Sequence, residues 1–141
     1  MLFIKKQLGR WWTLTKHPIV RIYTLLKNDT ELAQRLPNKI FTFDIPENYQ
    51  KAQYTPFIRI TEILMTNTLY KDGDSSHYRF LFAVETFGTD VHTVYSISER
   101  VNEVIKSENG RCYNRSLSKD DELKLFNQML EFEIILPIKE Q

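Results

Sequence analysis

The side chains in this 141-residue chain that could do chemistry are three histidines, one cysteine and an acidic loop. His17, His77 and His92 show neither the i, i+4 spacing nor the HExxH order that would place two zinc ligands on one helix face. Asp72 and Asp74 alternate as calcium ligands do, but the run lacks the EF-hand pattern and its closing glutamate. We therefore predict no metal site, and we expect the acidic loop to be a solvated hairpin tip.

Cysteine and glycine give no sign of a catalytic centre either. Cys112 is the only cysteine, so the chain forms no internal disulfide, and no nucleophile signature surrounds it. The four glycines, at positions 9, 73, 88 and 110, cannot combine into a phosphate-binding loop. A small enzyme would be indicated if Asp72, Asp74, His77 and Cys112 lay around one pocket. On the pattern alone we predict no catalytic residue, no cofactor and no small-molecule substrate.

The chain carries 19 basic and 18 acidic residues, a net charge of +1. It therefore lacks the excess of positive charge that is typical of proteins that bind nucleic acid or an anionic membrane. No segment stays apolar over the roughly 20 residues that cross a bilayer. The start, MLFIKKQLGRWW, lacks the continuous apolar core of a signal peptide. We expect the protein to stay in the cytoplasm of the cell that makes it, with no nucleic acid required.

The stretch Tyr78–Lys106 predicts a strand followed by a helix. The strand alternates with a period of two, which places Phe80, Phe82 and Val84 on one face. Thr89 or Asp90 is suited to cap the helix over residues 91–106, and Asn109-Gly110 is suited to end it, with the glycine left-handed. The apolar stripe predicted for this helix comprises Val91, Val94, Tyr95, Ser98, Val101, Val104 and Ile105.

The remaining elements complete a layer around that unit. The pattern predicts a helix from Pro18, which either runs through Asn28-Asp29 or is followed by a second helical stretch, Thr30–Arg35, capped by Asp29 or Thr30. It predicts strands at 40–45, Pro56–Met65, Arg111–Leu117 and Leu125–Leu136, a loop Thr66–His77, and a turn or helix start at Ser118–Asp121. The fold class is therefore predicted as α+β, a mostly antiparallel sheet of about four strands with an N-terminal helix and the central helix (91–106) packed on one face. Residues 18–141 form the single domain, and residues 1–17 form an N-terminal arm.

The arm carries two adjacent tryptophans, Trp11 and Trp12, among several cations. Aromatic rings beside cations suit a membrane interface, and tryptophan is equally enriched at the energetic centres of protein interfaces. Packing of both rings on the chain's own domain is the third interpretation. The sequence leaves these three alternatives open.

Several runs resemble a known family. PIVRIYTLLK, LPNKIFTFDIPE and TPFIRITEI, followed by an aromatic strand and the helix TDVHTVYSISERVNEVI, resemble small tail components of siphophages and prophages of Gram-positive bacteria, the tail-completion or tail-terminator group. The resemblance covers about Pro18 to Leu136, and the arm lies outside the family pattern. It implies a small α+β subunit, several copies of which form a ring that caps the tail tube at its head-proximal end.

That resemblance implies a subunit that works through interfaces. Its expected partners are further copies of itself in a ring, with a hexamer as one candidate size, and the tail-tube and head–tail connector proteins. Its expected location is the host-cell cytoplasm during assembly and then the virion tail. The projecting segments Thr66–His77 and Ser107–Asp121 are expected to meet neighbours. The candidate interface residues are Trp11, Trp12, Tyr70, Asp72, Asp74, His77, Arg111 and Arg115. A non-virion assembly factor of chaperone type, a membrane-associated adaptor using the tryptophan arm and a small enzyme are the alternatives.

Overall fold

The computed structural model describes residues 16–71 and 73–138, and for residues 69–71 it describes the backbone. Within this part of the chain the helices are α1 (Pro18–Lys27), α2 (Thr30–Arg35) and α3 (Val91–Ser107). Single turns of 3-10 helix lie at Glu47–Tyr49 and Ala52–Tyr54. The strands are β1 (Ile40–Thr42), β2 (Phe57–Lys71), β3 (Asp74–Gly88), β4 (Arg111–Asp120) and β5 (Leu125–Pro137).

The strands form one sheet in the order β1-β2-β3-β5-β4. β1 runs parallel to β2, and every other neighbouring pair is antiparallel. The predicted α+β class, with a mostly antiparallel sheet and an N-terminal and a central helix, is confirmed. The sheet has five strands rather than about four, because both short segments, β1 and β4, join it and form its edges.

The main core lies between the helices and one face of the sheet, which we call the helix-side face. Successive strand residues point to opposite faces, so the alternation in β3 buries Phe80, Phe82 and Val84 together as predicted. Phe82 stacks between Phe80 and Phe132, with ring centroids 5.2 and 5.3 Å apart. The aliphatic residues buried around these rings include Ile22, Leu26, Leu32, Leu36, Ile58, Ile60, Ile97, Val101, Ile105, Leu130 and Ile134.

Helix α3 is rotated relative to the predicted stripe. Val91 and Tyr95 are exposed, and Ile97, absent from the predicted stripe, is fully buried. With about 100° per residue, Ile97 and Val101 lie close to the centre of the buried stripe, and Tyr95 lies about 120° from it. The prediction was therefore wrong for Val91 and Tyr95, which lie on the helix flank that faces solvent.

Asparagine, rather than glycine, takes the left-handed position that ends α3. Asn109 has φ +67°, and the Gly110 N–H donates to the carbonyl of Ile105 at 2.9 Å. Glycine is required next because a Cβ at Gly110 would lie 2.3 Å from the Cγ2 of Ile105. At the other end the Asp90 carboxylate accepts from the Thr93 N–H at 2.8 Å, which identifies the cap.

The opposite face of the sheet, which we call the open face, carries no helix within residues 16–71 and 73–138. A small second cluster of Ile45, Phe57, Phe87 and Leu125 covers one end of it. Pro46 lies beyond the end of β1 and precedes the first 3-10 turn, whose Tyr49 packs against that cluster. The remainder of the open face is mixed: ion-paired residues such as Arg59, Glu85, Arg79 and Glu133 lie among apolar ones such as Leu64, Leu81 and Ile135.

Two edge-strand bulges change which residues share a face. In β2 the register shifts between Glu62 and Leu64, and in β4 it shifts between Cys112 and Asn114. Each extra residue reverses the alternation beyond it. Leu64 therefore pairs with Leu81 on the open face, and the predicted common face of Cys112 and Asn114 was wrong. The strands are also longer than predicted, because pairing continues along β2 and β3 to Lys71 and Asp74 and along β4 to Asp120.

Candidate interaction surfaces

The end of the β2–β3 hairpin holds four of the predicted contact residues. Asp74 is exposed beside Lys71, its backbone partner, and half-buried His77 lies where β5 ends at Pro137. Tyr70 pairs with Ser75 through the backbone, and Asp72 lies outside the described residues, as do Trp11 and Trp12. The predicted loop Thr66–His77 is therefore a continued β-ladder that projects past β5.

Local contacts order this hairpin end. Gly73 has φ +83°, a conformation that glycine adopts without strain, and it lies between the paired ends of the two strands. The Ser75 hydroxyl lies 2.8 Å from the carbonyl oxygens of both Thr68 and His77. The Ser76 hydroxyl lies 2.8 Å from His77 Nδ1. Backbone pairing and these hydrogen bonds therefore fix the positions from which Asp74 and His77 can contact another protein.

Ion pairs cross the open face from strand to strand. The guanidinium of Arg79 donates to Glu133 Oε2, with Nη2 at 2.6 Å, and Arg111 Nη2 lies 3.4 Å from the other oxygen. Further along the same face, Arg59 on β2 donates through Nε to Glu85 on β3 at 2.8 Å. Glu133 thus joins Arg111, a predicted contact residue, to the middle of the sheet. His77 lies on the same face, two residues along β3 from Arg79.

Tyr113, the extra residue of the β4 bulge, also lies on the open face. Burial of its ring raises the pKa of Tyr113, and the neighbouring Glu131 carboxylate raises it further. The amide of Asn114 donates to Glu131 Oε2 at 3.3 Å. Arg115 lies on the other side of this strand and pairs with Glu99 of α3, a hydrogen bond that raises the pKa of Arg115. The bulge therefore separates Arg111 and Arg115, which a regular strand would place on one face.

Exposed large apolar side chains are concentrated at the two sides of the sheet. They are Val20, Phe43, Ile63, Leu64, Val91, Tyr95, Tyr113, Leu117 and Ile135, each between 40% and 52% exposed. Four of them lie on β4 or on the flank of α3 beside it, and three lie at the free side of β2. Val20 is on α1, and Ile135 is on the open face. Surface apolar groups clustered in this way mark sites of protein contact.

The groups that an enzyme would need do not meet. Cys112 is level with Phe82, five residues along β3 from His77 and two strands away, a separation of more than about 15 Å. Asp74 is further along the hairpin. No cluster of three or more histidine, cysteine or acidic residues among those described could hold a metal ion.

A groove of about 560 Å³ lies between α1 and α3, and its lining includes Asp29, Arg100 and Glu103, of which Arg100 pairs with both acids. Asp29 caps α2 by accepting from the Leu32 N–H at 3.1 Å. The same carboxylate accepts from Arg100 Nε at 3.0 Å and Nη2 at 2.6 Å. These hydrogen bonds from Arg100 lower the pKa of Asp29. The carboxylate therefore links α2 to α3 through hydrogen bonds, and these bonds explain why a charged side chain is buried there.

Sequence reasoning missed the ion pairs that cross the sheet. One of them joins Arg59 on β2 to Glu85 on β3. The two residues face each other in the β2–β3 ladder, but counting back from the hairpin turn would have placed Thr86 opposite Arg59, because the bulge between Glu62 and Leu64 shifts the register by one residue. The Arg79–Glu133 pair depends on a long-range register that no local pattern contains.

Comparison with known proteins adds a likeness of fold. No protein-family model matches the sequence, and no curated protein matches it. Among solved structures, the fold is similar to that of a chain from the virion of a native gene transfer agent (GTA) particle, with a TM-score of 0.60 and 13% identity. The match covers 86% of this chain and 99% of that one, so nearly the whole of that subunit shares this fold. Among the described residues, no helix is long and apolar enough to cross a bilayer.

Proposed function

We propose that this chain is a structural component of a phage or prophage tail, a tail-completion or tail-terminator subunit. In this proposal several copies form a ring at the head-proximal end of the tail, and a hexamer is the first ring size to test. The observation that carries the proposal is the fold shared with a chain of a gene transfer agent virion, which extends over nearly all of that chain. The sequence runs described above support the same assignment independently.

The described surface supports work through interfaces. A subunit in a closed ring uses two different patches, one for each neighbour. The exposed apolar residues fall mainly at opposite edges of the sheet, and the paired hairpin end projects Asp74 past the end of β5, where His77 lies. We assign the hairpin end to contact with the tail-tube or head–tail connector proteins. The chain would act in the host-cell cytoplasm during assembly and remain in the virion tail, without catalysis, cofactor or nucleic acid.

Deletion of the gene from an inducible prophage or phage tests this role. The proposal predicts intact heads and separate tails in electron micrographs of the lysate, and restoration of joined particles by the gene supplied in trans. Joined, infectious particles at normal yield without the gene would contradict it. Loss of both heads and tails would instead indicate a non-virion assembly factor.

The hairpin end can be tested within the same system. Asp74→Lys should lower the yield of joined particles, because it reverses the charge of an exposed contact residue without touching the core. Glu47→Lys, on an exposed 3-10 turn away from the hairpin, is the matched control and should leave the yield unchanged. Equal yields from the two variants would remove the hairpin end from the contact surface.

A further inference from the structure

The outer edge of β4 is exposed along the whole strand. It is the last strand of the sheet, extends over ten residues from Arg111 to Asp120, and is exposed throughout except for half-buried Cys112. Within residues 16–71 and 73–138, no strand lies beside that edge. A strand at the edge of a sheet directs half of its backbone N–H and C=O groups outward, where they can pair with another chain.

A second free edge of the same length lies across the sheet on β2. β1 pairs with β2 only from Ile58 to Ile60, and the last backbone contact is the Phe43 N–H to the Ile60 carbonyl at 2.8 Å. Beyond it, no strand among the described residues pairs with the outer side of the segment Glu62–Lys71. This segment is also ten residues long.

The two edges match in direction and in length. β2 and β4 run antiparallel to each other, because three antiparallel steps separate them in the sheet. Glu62 and Cys112 lie on one row, since Glu62 is opposite Phe82 and Cys112 is opposite Phe132, and those two phenylalanines face each other. From that row β4 extends toward the end of the sheet that β1 covers, whereas Glu62–Lys71 extends toward the hairpin end. The two segments therefore pair over their full length only when the neighbour is shifted along the strands by about nine residues, roughly 30 Å.

Exposed apolar side chains flank both edges. On β4, Tyr113 lies on the open face and Leu117 on the helix-side face. Arg115 of β4 pairs with Glu99 of α3, and Tyr95 and Val91 lie one and two turns before Glu99 on the same flank of that helix. We call these four apolar residues the β4 edge surface. At the start of the free segment of β2 lie Phe43, Ile63 and Leu64, which we call the β2 edge surface. Both bulged residues, Ile63 and Tyr113, belong to these surfaces.

We propose that β4 of one copy pairs antiparallel with Glu62–Lys71 of the next copy, so that the sheets of neighbouring subunits become continuous. The contact is head-to-tail, the type that closes into a ring. This inference rests on the proposed ring. Ten paired residues form a strip about 33 Å long, and with side chains on both faces about 20 Å wide. That gives on the order of 700 Å² per copy, close to the roughly 800 Å² of a standard stable interface.

Complementary variants test the contact in solution. Tyr113→Lys with Leu117→Lys blocks the β4 edge surface, and Ile63→Lys with Leu64→Lys blocks the β2 edge surface. Val20→Lys with Ile135→Lys is the control, because both residues have comparable exposure and lie off both edges. Circular dichroism and thermal melting establish that each variant is folded, and light scattering after size exclusion measures its mass over a range of concentrations.

The proposal predicts that the wild type and the control self-associate. Each edge variant alone should self-associate with a dissociation constant at least about tenfold higher. An equimolar mixture of the two edge variants should form a dimer of about twice 16.8 kDa, because each supplies the edge that the other lacks. A dimer of the β2-edge variant alone would indicate β4–β4 pairing about a two-fold axis and would overturn the head-to-tail contact. A mixture that stays monomeric while the wild type associates would also overturn the head-to-tail contact.

Cross-linking in particles decides the case in which the wild type is monomeric in solution. Leu117→Cys with Thr66→Cys, in a Cys112→Ser background, should give a ladder of linked subunits with a flexible bismaleimide. Either single-cysteine variant should give no species beyond a dimer. If the chain is present in particles but gives no ladder, the strand contact is overturned while the tail role stands. If the edge variants form the mixed dimer while the chain is absent from particles, the tail role fails and the contact stands.

Discussion

Replacing Asp29 separates two contributions that one carboxylate makes to the fold. Its oxygens cap α2 through the Leu32 N–H and also accept two hydrogen bonds from Arg100 on α3. The substitution Asp29→Asn would keep a cap acceptor but lose the charge, whereas Asp29→Ala would lose both. The two substitutions therefore form a graded series at one position.

The magnitudes follow from the geometry. The Asp29 side chain is only 11% exposed, so solvent screens its charge incompletely. Hydrogen bonds to a charged group contribute about 1.5–3 kcal/mol in proteins, and partial exposure favours the lower end. We expect Asp29→Asn to lower the free energy of unfolding by about 1–2 kcal/mol at neutral pH. Asp29→Ala should lower it by about 1 kcal/mol more, because it also loses the cap.

The effect of Asp29→Asn should depend on pH in one direction. The pKa of Asp29 is lowered from its ordinary value of 3.8, chiefly by the hydrogen bonds from Arg100. The folded state therefore binds the proton less readily than the unfolded state, and the stabilisation is fully present above the unfolded pKa. It is lost as the pH falls from about 4 through the folded pKa, where wild type and Asp29→Asn should converge.

Urea unfolding followed by circular dichroism measures these differences. With a slope of about 1.5 kcal/mol per molar urea, a loss of 1.5 kcal/mol moves the midpoint by about 1 M. Equal midpoints for wild type and Asp29→Asn at neutral pH would refute the assigned role of the charge. A difference that does not shrink at all as the pH is lowered below the ordinary pKa of 3.8 would show that its origin is not ionisation of this carboxyl.

Three further substitutions test the packing. Gly110→Ala should lower the free energy of unfolding by about 1–3 kcal/mol, because its Cβ would overlap Ile105, and Asn109→Gly beside it should be nearly neutral; thermal melting compares them. Phe82→Ala should cost about 3–5 kcal/mol, measured by urea titration, since it removes the ring between two stacked neighbours; a loss below 1 kcal/mol would contradict that packing. Ser98→Ala should cost about 1 kcal/mol through loss of its buried hydrogen bond to Thr86, and equal melting curves would show that this bond contributes nothing.

The elements of this fold could be predicted wherever local chemistry determines them. Alternation in β3 identified Phe80, Phe82 and Val84, and the Asp90 cap was one of two residues considered. The length of the hairpin could not be obtained in this way. Polar residues on both strands suggested a loop, whereas backbone pairing to Lys71 and Asp74 continues regardless of side-chain polarity.

The interaction surfaces could be predicted from the sequence less completely than the fold. Arg111 and Arg115 are four residues apart, and their separation onto opposite faces depends on a bulge at Tyr113 that no residue preference indicated. Tyr95 was assigned to the core because its spacing fits a helical stripe, and its exposure follows from how α3 is rotated against the sheet. Both features depend on long-range packing.

Quantitative mass spectrometry of purified particles tests the tail assignment most directly. The source strain would be induced, particles separated from the lysate by density, and peptides from this chain counted against those of the major tail-tube protein. The account predicts a few copies per particle, a single ring's worth, far below the tube protein. Absence from particles despite abundance in the lysate would contradict a virion role and would assign the chain to assembly outside the particle.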